Sequence, residues 1–481
     1  MAARRTSRRA RVIAVVLVGI VVAAACVPRP NFAAPVGPRA ELGHSGRWFT
    51  DHWGRVVNLR GVDFVKKFPP ISPAAAGFGE DDARFLHDQG FNVVRLGVVF
   101  GSVMPEPGVI NHAYVDSIAE TVQVLAREHI FTLLDFHQDG FGPAVHGNGF
   151  PEWATMTDGL PNPPEPFPNY YLTNPALQRA FDNFWANVPG PDGVPLQQHY
   201  ATAVRAVAES VATEDYVLGY DLMNEPWPGT NWAPCVTGCP ELEAALLAPF
   251  SQRMTDAIRS VDRERFVFTE PFVLFNFGAS DTSLSGFGAP ASGLSYHVYA
   301  TSPEGDEATM DRALAASARG DVLLATEFGA TNDTATLRRL TDAFDRRLLS
   351  WVFWTYDEHL VHDLNAAPVG ENVRAGVLDA LVRPSPMVTN GTPTSSSFDP
   401  ETGDYDYAYS TRRPDGTRAD PKYRTSVLLP NRVYPGGYTV TVNGASIRTC
   451  STTLVLRNDP DATAVTVHVE RGGPCGRPKV S

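Results

Sequence analysis

Two apolar stretches of the chain each end in a glutamate that is followed by a turn-forming proline or glycine. The first is residues 220–226 (YDLMNEP) and the second is residues 323–329 (LLATEFG). Such a run is typical of a buried strand that delivers an acidic side chain to the rim of a sheet. One protonated and one ionised carboxyl group are the minimum equipment for splitting a glycosidic bond. We therefore predict Glu225 and Glu327 as a catalytic pair; the alternative is that both are buried ion-pair partners.

Around these stretches, short β-rich segments alternate with longer helical ones, which is the pattern of a parallel sheet built from βα units. We predict eight strands, at residues 56–63, 93–98, 131–135, 217–223, 266–269, 294–297, 322–326 and 351–354. Helical patterns lie between them, at residues 79–89, 114–129, 198–212, 241–262, 306–318 and 333–349. Eight such units predict an α/β fold, a (β/α)8 TIM barrel over residues 44–382.

Polar and aromatic side chains gather where the predicted strands end. They are Lys66, Lys67, Arg95, His137, Asp139, Asn224, Glu225, Glu270, His297, Tyr299, Glu327 and Trp354. The carboxyl ends of all eight strands of a TIM barrel meet on one face, where active sites are built. Each residue alone has a structural explanation, but their shared position predicts one polar site.

Two residues near the glutamates have predicted supporting roles. The amide of Asn224 could hold a sugar 2-hydroxyl, an interaction that strengthens as the oxocarbenium-like transition state forms. Arg95 ends an apolar strand and could keep Glu327 ionised by lowering its pKa. A purely structural salt bridge is the alternative explanation for Arg95.

Three further residues have predicted roles at the same rim. His297 and Tyr299 alternate along one strand, so both can point to the same side and donate to Glu327 or to a substrate hydroxyl. Trp354 ends the last strand, where its ring could stack under a sugar; filling the core is the alternative.

The motifs at these strand ends resemble glycoside hydrolase family 5, a retaining family of (β/α)8 enzymes. More narrowly, five motifs in order resemble its endoglycoceramidase branch: residues 135–139 (DFHQD), 149–153 (GFPEW), 181–187 (FDNFWAN), 224–229 (NEPWPG) and 326–331 (TEFGAT). The similarity runs from about Leu59 to the C-terminus, because those enzymes also end in a β-sandwich.

The resemblance implies a role for each matching residue. It implies that Glu225 is the acid/base and Glu327 the nucleophile. It places four residues around the bound sugar: His137, Asn224, His297 and Tyr299. It also implies contacts with the glycan from Lys67, Asp139, Trp185 and Trp354, although the adjacent Lys66 competes with Lys67 for the first of these positions.

The composition excludes some partners. The 481 residues carry a net charge of −13, and the first 25 contain five Arg and no acidic residue, so their removal would take the charge to about −18. A nucleic-acid partner is therefore not expected. We expect a monomer with neither a metal nor an organic cofactor, since two carboxyl groups suffice for both steps of the reaction.

The N-terminus has the features of an export signal. Residues 1–25 combine a basic start with a short apolar run, which predicts a signal peptide; a retained anchor helix is the alternative. Small residues before Cys26 resemble a lipoprotein cleavage site, so Cys26 is either lipidated or lost to a later cut. Residues 26–43 are rich in Pro and Ala and are predicted as a tether. The protein is thus expected to be secreted or anchored to the cell surface.

A change of character at residue 383 marks a second domain. Pro residues and a Ser/Thr/Gly run lead into alternating segments, which predict a small antiparallel β-sandwich over residues 383–481.

In an exported chain Cys235 can pair with Cys239, and Cys450 with Cys475. A metal site at Cys235 and Cys239 is less favoured than a disulfide, because no second pair of ligands lies nearby.

The loops after the third, fourth and fifth predicted strands are apolar and rich in Gly and Pro, at residues 136–171, 227–240 and 271–277. An apolar slot beside a polar rim suits a glycolipid, and contact with a membrane or micelle surface would follow. Simple packing of the loops is the alternative. The sequence thus predicts an enzyme that cleaves between the glycan and ceramide of glycosphingolipids. An endoglucanase-like enzyme, an enzyme specific for glucosylceramide or the galactosyl series, and a non-catalytic glycolipid-binding protein are the alternatives.

Overall fold

The computed structural model describes residues 41–285, 291–300 and 302–476. The predicted signal peptide, Cys26 and most of the predicted tether lie outside these residues. Eight parallel strands form a closed barrel in which each strand pairs with the next and the last pairs with the first. They are Arg60–Phe64, Val93–Val98, Phe131–Phe136, Val217–Asp221, Phe266–Thr269, Ser292–Val298, Val322–Phe328 and Trp351–Phe353, the first to eighth barrel strands. The predicted TIM barrel is confirmed.

Helices surround the barrel and occupy the connections between its strands. The α-helices are Glu80–Asp88, Phe100–Val103, His112–Arg127, Tyr170–Thr173, Pro175–Trp185, Leu196–Val211, Pro240–Leu242, Ala248–Arg259, Pro303–Ser317, Thr334–Arg347 and Ala375–Leu381. Two π-helical turns, Glu243–Leu247 and Tyr356–Leu360, accompany them. Short 3-10 turns lie at Ala74–Ala76, Pro143–Val145, Glu152–Ala154, Gly229–Asn231, Ala233–Val236, Val273–Phe277 and Gly370–Asn372. In the part of the chain that the structure describes, no helix combines the length and the apolar character that a membrane span requires.

The barrel strands are buried along their whole length, because helices cover their outer face and side chains fill the inside. This double burial explains their nearly continuous apolar sequences. The charged residues that do occur in them, such as Arg95 and Asp135, must therefore be paired with one another.

Two antiparallel sheets form the C-terminal region. The four-stranded sheet consists of Thr392–Phe398, Tyr405–Ser410, Ala464–Arg471 and Tyr438–Asn443, in that order. The seven-stranded sheet consists of Gly43–Ser45, Trp48–Thr50, Val56–Val57, Ser385–Thr389, Thr425–Leu428, Thr453–Asn458 and Ala445–Cys450, in that order. Three tyrosines of one strand, Tyr405, Tyr407 and Tyr409, belong to the core of this region.

The first three strands of the described chain therefore belong to the seven-stranded sheet, although the sequence pattern grouped residues 44–63 with the barrel. The predicted strand at 56–63 divides in two: Val56–Val57 pairs with Ser385–Thr389, and Arg60–Phe64 enters the barrel. Hydrogen bonding to a strand more than 300 residues later leaves no signal in the local pattern.

The seven-stranded sheet packs against the amino-terminal end of the barrel. Phe49 lies edge-on to Phe266 with ring centroids 5.4 Å apart, and Met387 and Leu428 join the same apolar cluster. A buried ion cluster adds a polar link, because Asp345 forms ion pairs with both Arg60 and Arg383. The C-terminal region thus closes the end of the barrel opposite the predicted site.

Candidate active site

A single buried arginine organises the carboxyl-terminal end of the barrel. Arg95 lies in the second barrel strand, and its side chain has no exposed surface. Its guanidinium nitrogens lie 2.7–3.2 Å from oxygens of five side chains: Glu327 (2.7 Å), Asn224 (2.9 Å), Asp135 (3.0 Å), Asp221 (3.1 Å) and Asp63 (3.2 Å). These residues come from four other barrel strands or the loops directly after them. The predicted contact between Arg95 and Glu327 is thus present.

One guanidinium cannot neutralise four carboxylates, so their protonation states must differ. Burial raises the pKa of Asp63 well above its usual range and raises that of Asp221 to about 7. Burial also acts against ionisation of Asp135, but Arg95 and His137 outweigh it and lower its pKa. For Arg95 itself, burial lowers the pKa, yet the carboxylates led by Asp135 hold it well above the usual value. The arginine therefore stays charged.

Glu327 receives donors on both of its oxygens. Arg95 donates to Oε1 at 2.7 Å, and the Tyr299 hydroxyl donates to Oε2 at 2.9 Å. Burial, followed by the charge of Glu327, raises the pKa of Tyr299 well above its usual range, so the hydroxyl keeps its proton. A carboxylate that accepts from a cation and a hydroxyl is favoured in its ionised form.

Glu225 lies in a different environment. Its Oε1 is 2.8 Å from His297 Nδ1 and accepts from Asn276 Nδ2 at 3.2 Å. Burial raises the pKa of Glu225 to about 7, and the nearby Asp139 adds to the effect. Near neutral pH a large fraction of this carboxyl therefore carries its proton. The two glutamates thus differ in their surroundings: burial raises the pKa of Glu225, whereas Glu327 accepts from a guanidinium and a hydroxyl.

His297 connects the two glutamates and limits their separation. Its Nδ1 lies 2.8 Å from Glu225 Oε1 and 3.5 Å from Glu327 Oε2. These oxygens are thus separated by at most the sum of the two lengths, about 6.3 Å. This limit is shorter than the roughly 6.5–9.5 Å that leaves room for a water molecule in inverting enzymes. Burial lowers the pKa of His297 to about 3, so the ring is neutral.

Two residues that contact Glu225 are not among those to which the sequence analysis gave a role. Glu270 directly follows the fifth barrel strand, and its Oε2 accepts from the backbone N–H of Glu225 at 2.9 Å. Asn276 Nδ2 donates to Glu225 Oε1 and to Glu270 Oε1, at 3.2 Å each. The position of Glu270 at a strand end was a usable signal. Asn276 lies within an apolar run, where nothing in the sequence distinguishes it.

Ligand-type atoms of Glu225, Glu270 and His297 lie within 4.8 Å of one another, a spacing that a metal ion can also use. The Asn276 amide, however, directs a donor between the two carboxyl groups. Burial raises the pKa of Glu270 well above its usual range, with further increases from Asp221 and Glu225. A donor and a protonated carboxyl facing this space favour a hydrogen-bonded cluster over a cation site.

A second polar cluster lies beside the glutamates. Lys67 Nζ is 2.6 Å from Asp139 Oδ2 and 4.3 Å from the centroid of the Trp354 ring. Lys66 instead pairs with Asp357 at 2.9 Å. Of the two adjacent lysines, Lys67 is therefore the one that faces the predicted site residues.

His137 completes this second cluster. Its ring stacks on Trp354 with centroids 5.4 Å apart, and its Nδ1 lies 2.7 Å from Asp135 Oδ2. Burial opposes the charge of His137, but Asp135 and Asp139 raise its pKa to about 9. Burial also opposes ionisation of Asp139, but Lys67 and His137 lower its pKa well below the usual range. The cluster therefore offers a lysine, an imidazolium, a carboxylate and an aromatic face, all of which can bind sugar hydroxyls or rings.

Two other predicted site residues make contacts that differ from the expected ones. The Asn224 amide accepts from Arg95 and donates to Gln138 O at 3.0 Å, so much of its bonding capacity is used within the protein. Trp185 ends the helix Pro175–Trp185, and its Nε1–H donates to Trp227 O at 2.7 Å. Trp185 thus contacts the loop that follows Glu225. Both predicted disulfides, Cys235–Cys239 and Cys450–Cys475, are present.

Comparison with known proteins assigns most of the chain. Residues 54–360 match the family model described as cellulase (glycosyl hydrolase family 5), and residues 383–469 match the glycoside hydrolase family 5 C-terminal domain. Endoglycoceramidase I of Rhodococcus hoagii (strain 103S) is 32% identical over 468 residues, which cover 92% of this chain and 90% of that protein. An endoglycoceramidase of Cyanea nozakii is 28% identical over 438 residues, 82% of this chain and 84% of that protein.

Solved structures agree with this assignment. Endo-glycoceramidase II from Rhodococcus sp., as its lactosyl-enzyme intermediate, superposes with a TM-score of 0.72 at 30% identity. The match covers 89% of this chain and 100% of that chain. Its complex with ganglioside GM3 gives a TM-score of 0.72 at 29% identity. Because both the barrel and the C-terminal region match, this chain belongs to glycoside hydrolase family 5.

Proposed function

We propose that the protein is a retaining endo-β-glycosidase that hydrolyses the linkage between the oligosaccharide and ceramide of glycosphingolipids. The observation that carries the proposal is the pairing of Glu225, whose pKa burial raises to about 7, with Glu327, whose two oxygens accept from Arg95 and Tyr299. Oxygens of both glutamates lie near the same nitrogen of His297 and are at most about 6.3 Å apart, which is less than the separation typical of inverting enzymes.

In the first step, Glu327 attacks the anomeric carbon and forms an ester with the sugar. Glu225 gives its proton to the glycosidic oxygen, so the ceramide leaves as a neutral alcohol. In the second step Glu225, now ionised, takes a proton from water, and the resulting nucleophile releases the sugar from Glu327. Two inversions at the same carbon retain the β-configuration.

Several observations support the choice of substrate. The cluster of Lys67, His137, Asp139 and Trp354 is suited to a sugar adjoining the scissile bond. Two relatives that match along about nine-tenths of the chain are endoglycoceramidases, and one of them was captured as a lactosyl-enzyme intermediate and with ganglioside GM3. Binding of a glycan on this polar side leaves the apolar loops for the lipid.

Contact with a lipid surface is part of the proposal. Large apolar side chains are exposed in the segments that follow the first, third, fourth and fifth barrel strands, and we name this set the apolar rim: Phe68, Phe167, Leu172, Val236 and Phe277. Phe68 is 66% exposed beside Lys67, and Phe277 is 46% exposed beside Asn276. The exposure of several large apolar groups around a polar site suits insertion at a membrane or micelle surface.

We further propose that the protein is exported, either as a free monomer or anchored through a lipid on Cys26. The basic and apolar pattern of residues 1–25 and the two disulfides, which persist in oxidising compartments, support export. The intact mass of the protein purified from its native host tests this. Retention of residues 1–25 would contradict cleavage of a signal peptide and favour the retained anchor helix, and the mass at Cys26 separates the lipidated form from the free one.

The activity is tested by mass spectrometry of products from a substrate panel of ganglioside, lactosylceramide, a galactosyl-series glycolipid, glucosylceramide and cellulose. We expect intact oligosaccharide and intact ceramide from at least one glycolipid, with the β-anomer appearing first by NMR. Cleavage of cellulose without release of ceramide would indicate an endoglucanase. Tight binding of glycolipid without any product would indicate a binding protein.

A further inference from the structure

A third glutamate lies directly behind the proposed acid/base. Glu270 follows the fifth barrel strand, and its side chain has no exposed surface, so it cannot contact substrate. Both of its oxygens nonetheless accept hydrogen bonds from groups at the proposed catalytic centre. Oε2 accepts from the backbone N–H of Glu225, and Oε1 accepts from the side chain of Asn276.

The first of these contacts supports an unusual backbone conformation. Glu225 has a φ of +41°, in the left-handed region that residues with a Cβ rarely adopt. Such a conformation persists only where surrounding contacts hold it. The carboxyl of Glu270 binds the N–H of this residue at 2.9 Å, and Gln138 Nε2 donates to its carbonyl at 3.0 Å. The direction of the Glu225 side chain depends on these two contacts.

The second contact extends to the rest of the centre through Asn276. Its amide nitrogen bridges Glu270 and the Oε1 of Glu225. Its side-chain oxygen accepts from the backbone N–H of His297 at 3.0 Å, and its carbonyl accepts from that of Tyr299 at 3.2 Å. One buried unit thus binds the side chain of the acid/base and the backbone of the two residues that face both glutamates.

We propose that Glu270 is a positioning residue for the acid/base, which together with Asn276 fixes the backbone and carboxyl of Glu225 in the orientation that protonates the leaving oxygen. This inference rests on the proposed function. Burial, with further increases from Asp221 and Glu225, raises the pKa of Glu270 well above its usual range. This shift favours the neutral form of Glu270, and glutamine is its closest replacement.

The test compares aryl β-lactosides with good and poor leaving groups, because only a poor leaving group needs proton donation in the first step. Glu270→Leu removes the acceptor for the Glu225 N–H. We expect it to lower kcat/KM for phenyl β-lactoside by about 30-fold or more, and that for 2,4-dinitrophenyl β-lactoside by less than about threefold. Glu270→Gln keeps an acceptor oxygen and is expected to restore kcat/KM for both substrates to within about threefold of the wild type.

Glu243→Leu is the matched control. Glu243 is also a buried glutamate, and its oxygens accept from Thr282 and Ser283. Glu243→Leu should lower the unfolding temperature, and any change in kcat/KM should be the same for both lactosides. If Glu270→Leu fails to fold, Asn276→Ala removes the other half of the bridge and should give the same leaving-group signature.

Equal losses on the two lactosides would overturn the proposal, as would unchanged kinetics of Glu270→Leu. So would a shift of the basic limb of the pH profile by a unit or more in Glu270→Gln, because Glu270 would then act through a charge. Glu225→Gln in the same assay keeps the two hypotheses apart. If it shows the leaving-group signature and the Glu270 variants do not, the proposed function stands and the role of Glu270 is wrong.

Discussion

The two ends of the barrel are built from the same eight strands but have opposite chemistry. At the carboxyl-terminal end, Arg95 and the carboxylates around it occupy the interior. At the amino-terminal end, the interior is filled by apolar side chains such as Phe131, Leu133 and Phe268, and the seven-stranded sheet covers it.

The amino-terminal end of the barrel mainly stabilises the fold, whereas the carboxyl-terminal end holds the groups that could carry out a reaction. The apolar end stabilises the fold mainly by removing apolar surface from water, and its charged groups form one buried ion cluster of Arg60, Asp345 and Arg383. The polar end confines charges whose burial is costly unless they are paired, which shifts their pKa values apart. The stable end thus lets the other end hold an arrangement that would otherwise be unfavourable. Changes at the two ends should therefore affect different measurements.

The largest effect is expected from loss of the anionic glutamate. Glu327→Gln keeps the size of the side chain but removes the nucleophile, so kcat on glycolipid should fall by about 10⁴-fold or more. Steady-state kinetics on lactosylceramide provide the measurement. Glu304→Gln, an exposed glutamate at the start of helix Pro303–Ser317, is the control and should leave the rate unchanged. A residual rate above about one per cent in Glu327→Gln would contradict the assignment.

The next largest effect concerns the protonated glutamate. Glu225→Gln cannot donate a proton, so its turnover of glycolipid should fall by about 10²–10⁴-fold. The first step with a dinitrophenyl lactoside should be nearly unaffected, and a glycosyl-enzyme of increased mass should accumulate because no base activates water. Added azide should release that intermediate as a β-glycosyl azide. Failure to accumulate it would count against the acid/base role.

A substitution at the apolar end should change the stability of the protein but not its activity. Phe49 is buried against Phe266 and Phe268. Phe49→Ala should lower the free energy of unfolding by about 3–5 kcal/mol through the lost contacts and the cavity left behind. Chemical denaturation measures the change, and kcat of the protein that remains folded should match the wild type. A fall in kcat similar to those at the polar end would show that the two ends are not independent.

A smaller effect is expected from the neutral donor to the nucleophile. Tyr299→Phe removes the hydroxyl that lies 2.9 Å from Glu327 Oε2. Hydrogen bonds to charged groups contribute about 1.5–3 kcal/mol, so kcat/KM should fall by about 10- to 150-fold. Because the hydroxyl stays protonated, the position of the basic limb near pH 7 should not move. Rates measured across pH distinguish this result from a titrating role for Tyr299.

The smallest effect is the dependence on pH near neutrality. Burial raises the pKa of Glu225 from 4.5 to about 7, and the protonated form is the one that assists the leaving oxygen. Glu225 holds its proton at pH values well below this raised pKa and loses it at pH values above it. We therefore expect kcat/KM to fall about tenfold per unit above pH 7, measured on a substrate with a poor leaving group. A decline of kcat/KM that begins near pH 4.5 would show that burial does not raise the pKa of Glu225.

Local patterns in the sequence predicted much of the fold and of the candidate site. Eight apolar runs followed by polar residues predicted the barrel and its polar end, because burial on both faces and the position of strand ends are properties of short segments. Glu225, Glu327 and Arg95 all follow from that reasoning. So does Glu270 as a strand-end residue, although its role does not.

The tertiary structure alone decided which of these residues meet. The register of the closed barrel determines that Arg95 faces four carboxylates and that one histidine lies between Glu225 and Glu327. The selection of Lys67 over Lys66, the place of Asn276, and the pairing of residues 43–57 with the C-terminal sheet likewise depend on contacts between distant segments. The sequence by itself determined the chemical groups and the strands that carry them. Their pKa values and mutual orientation arise from burial and from neighbours that come together only when the barrel closes.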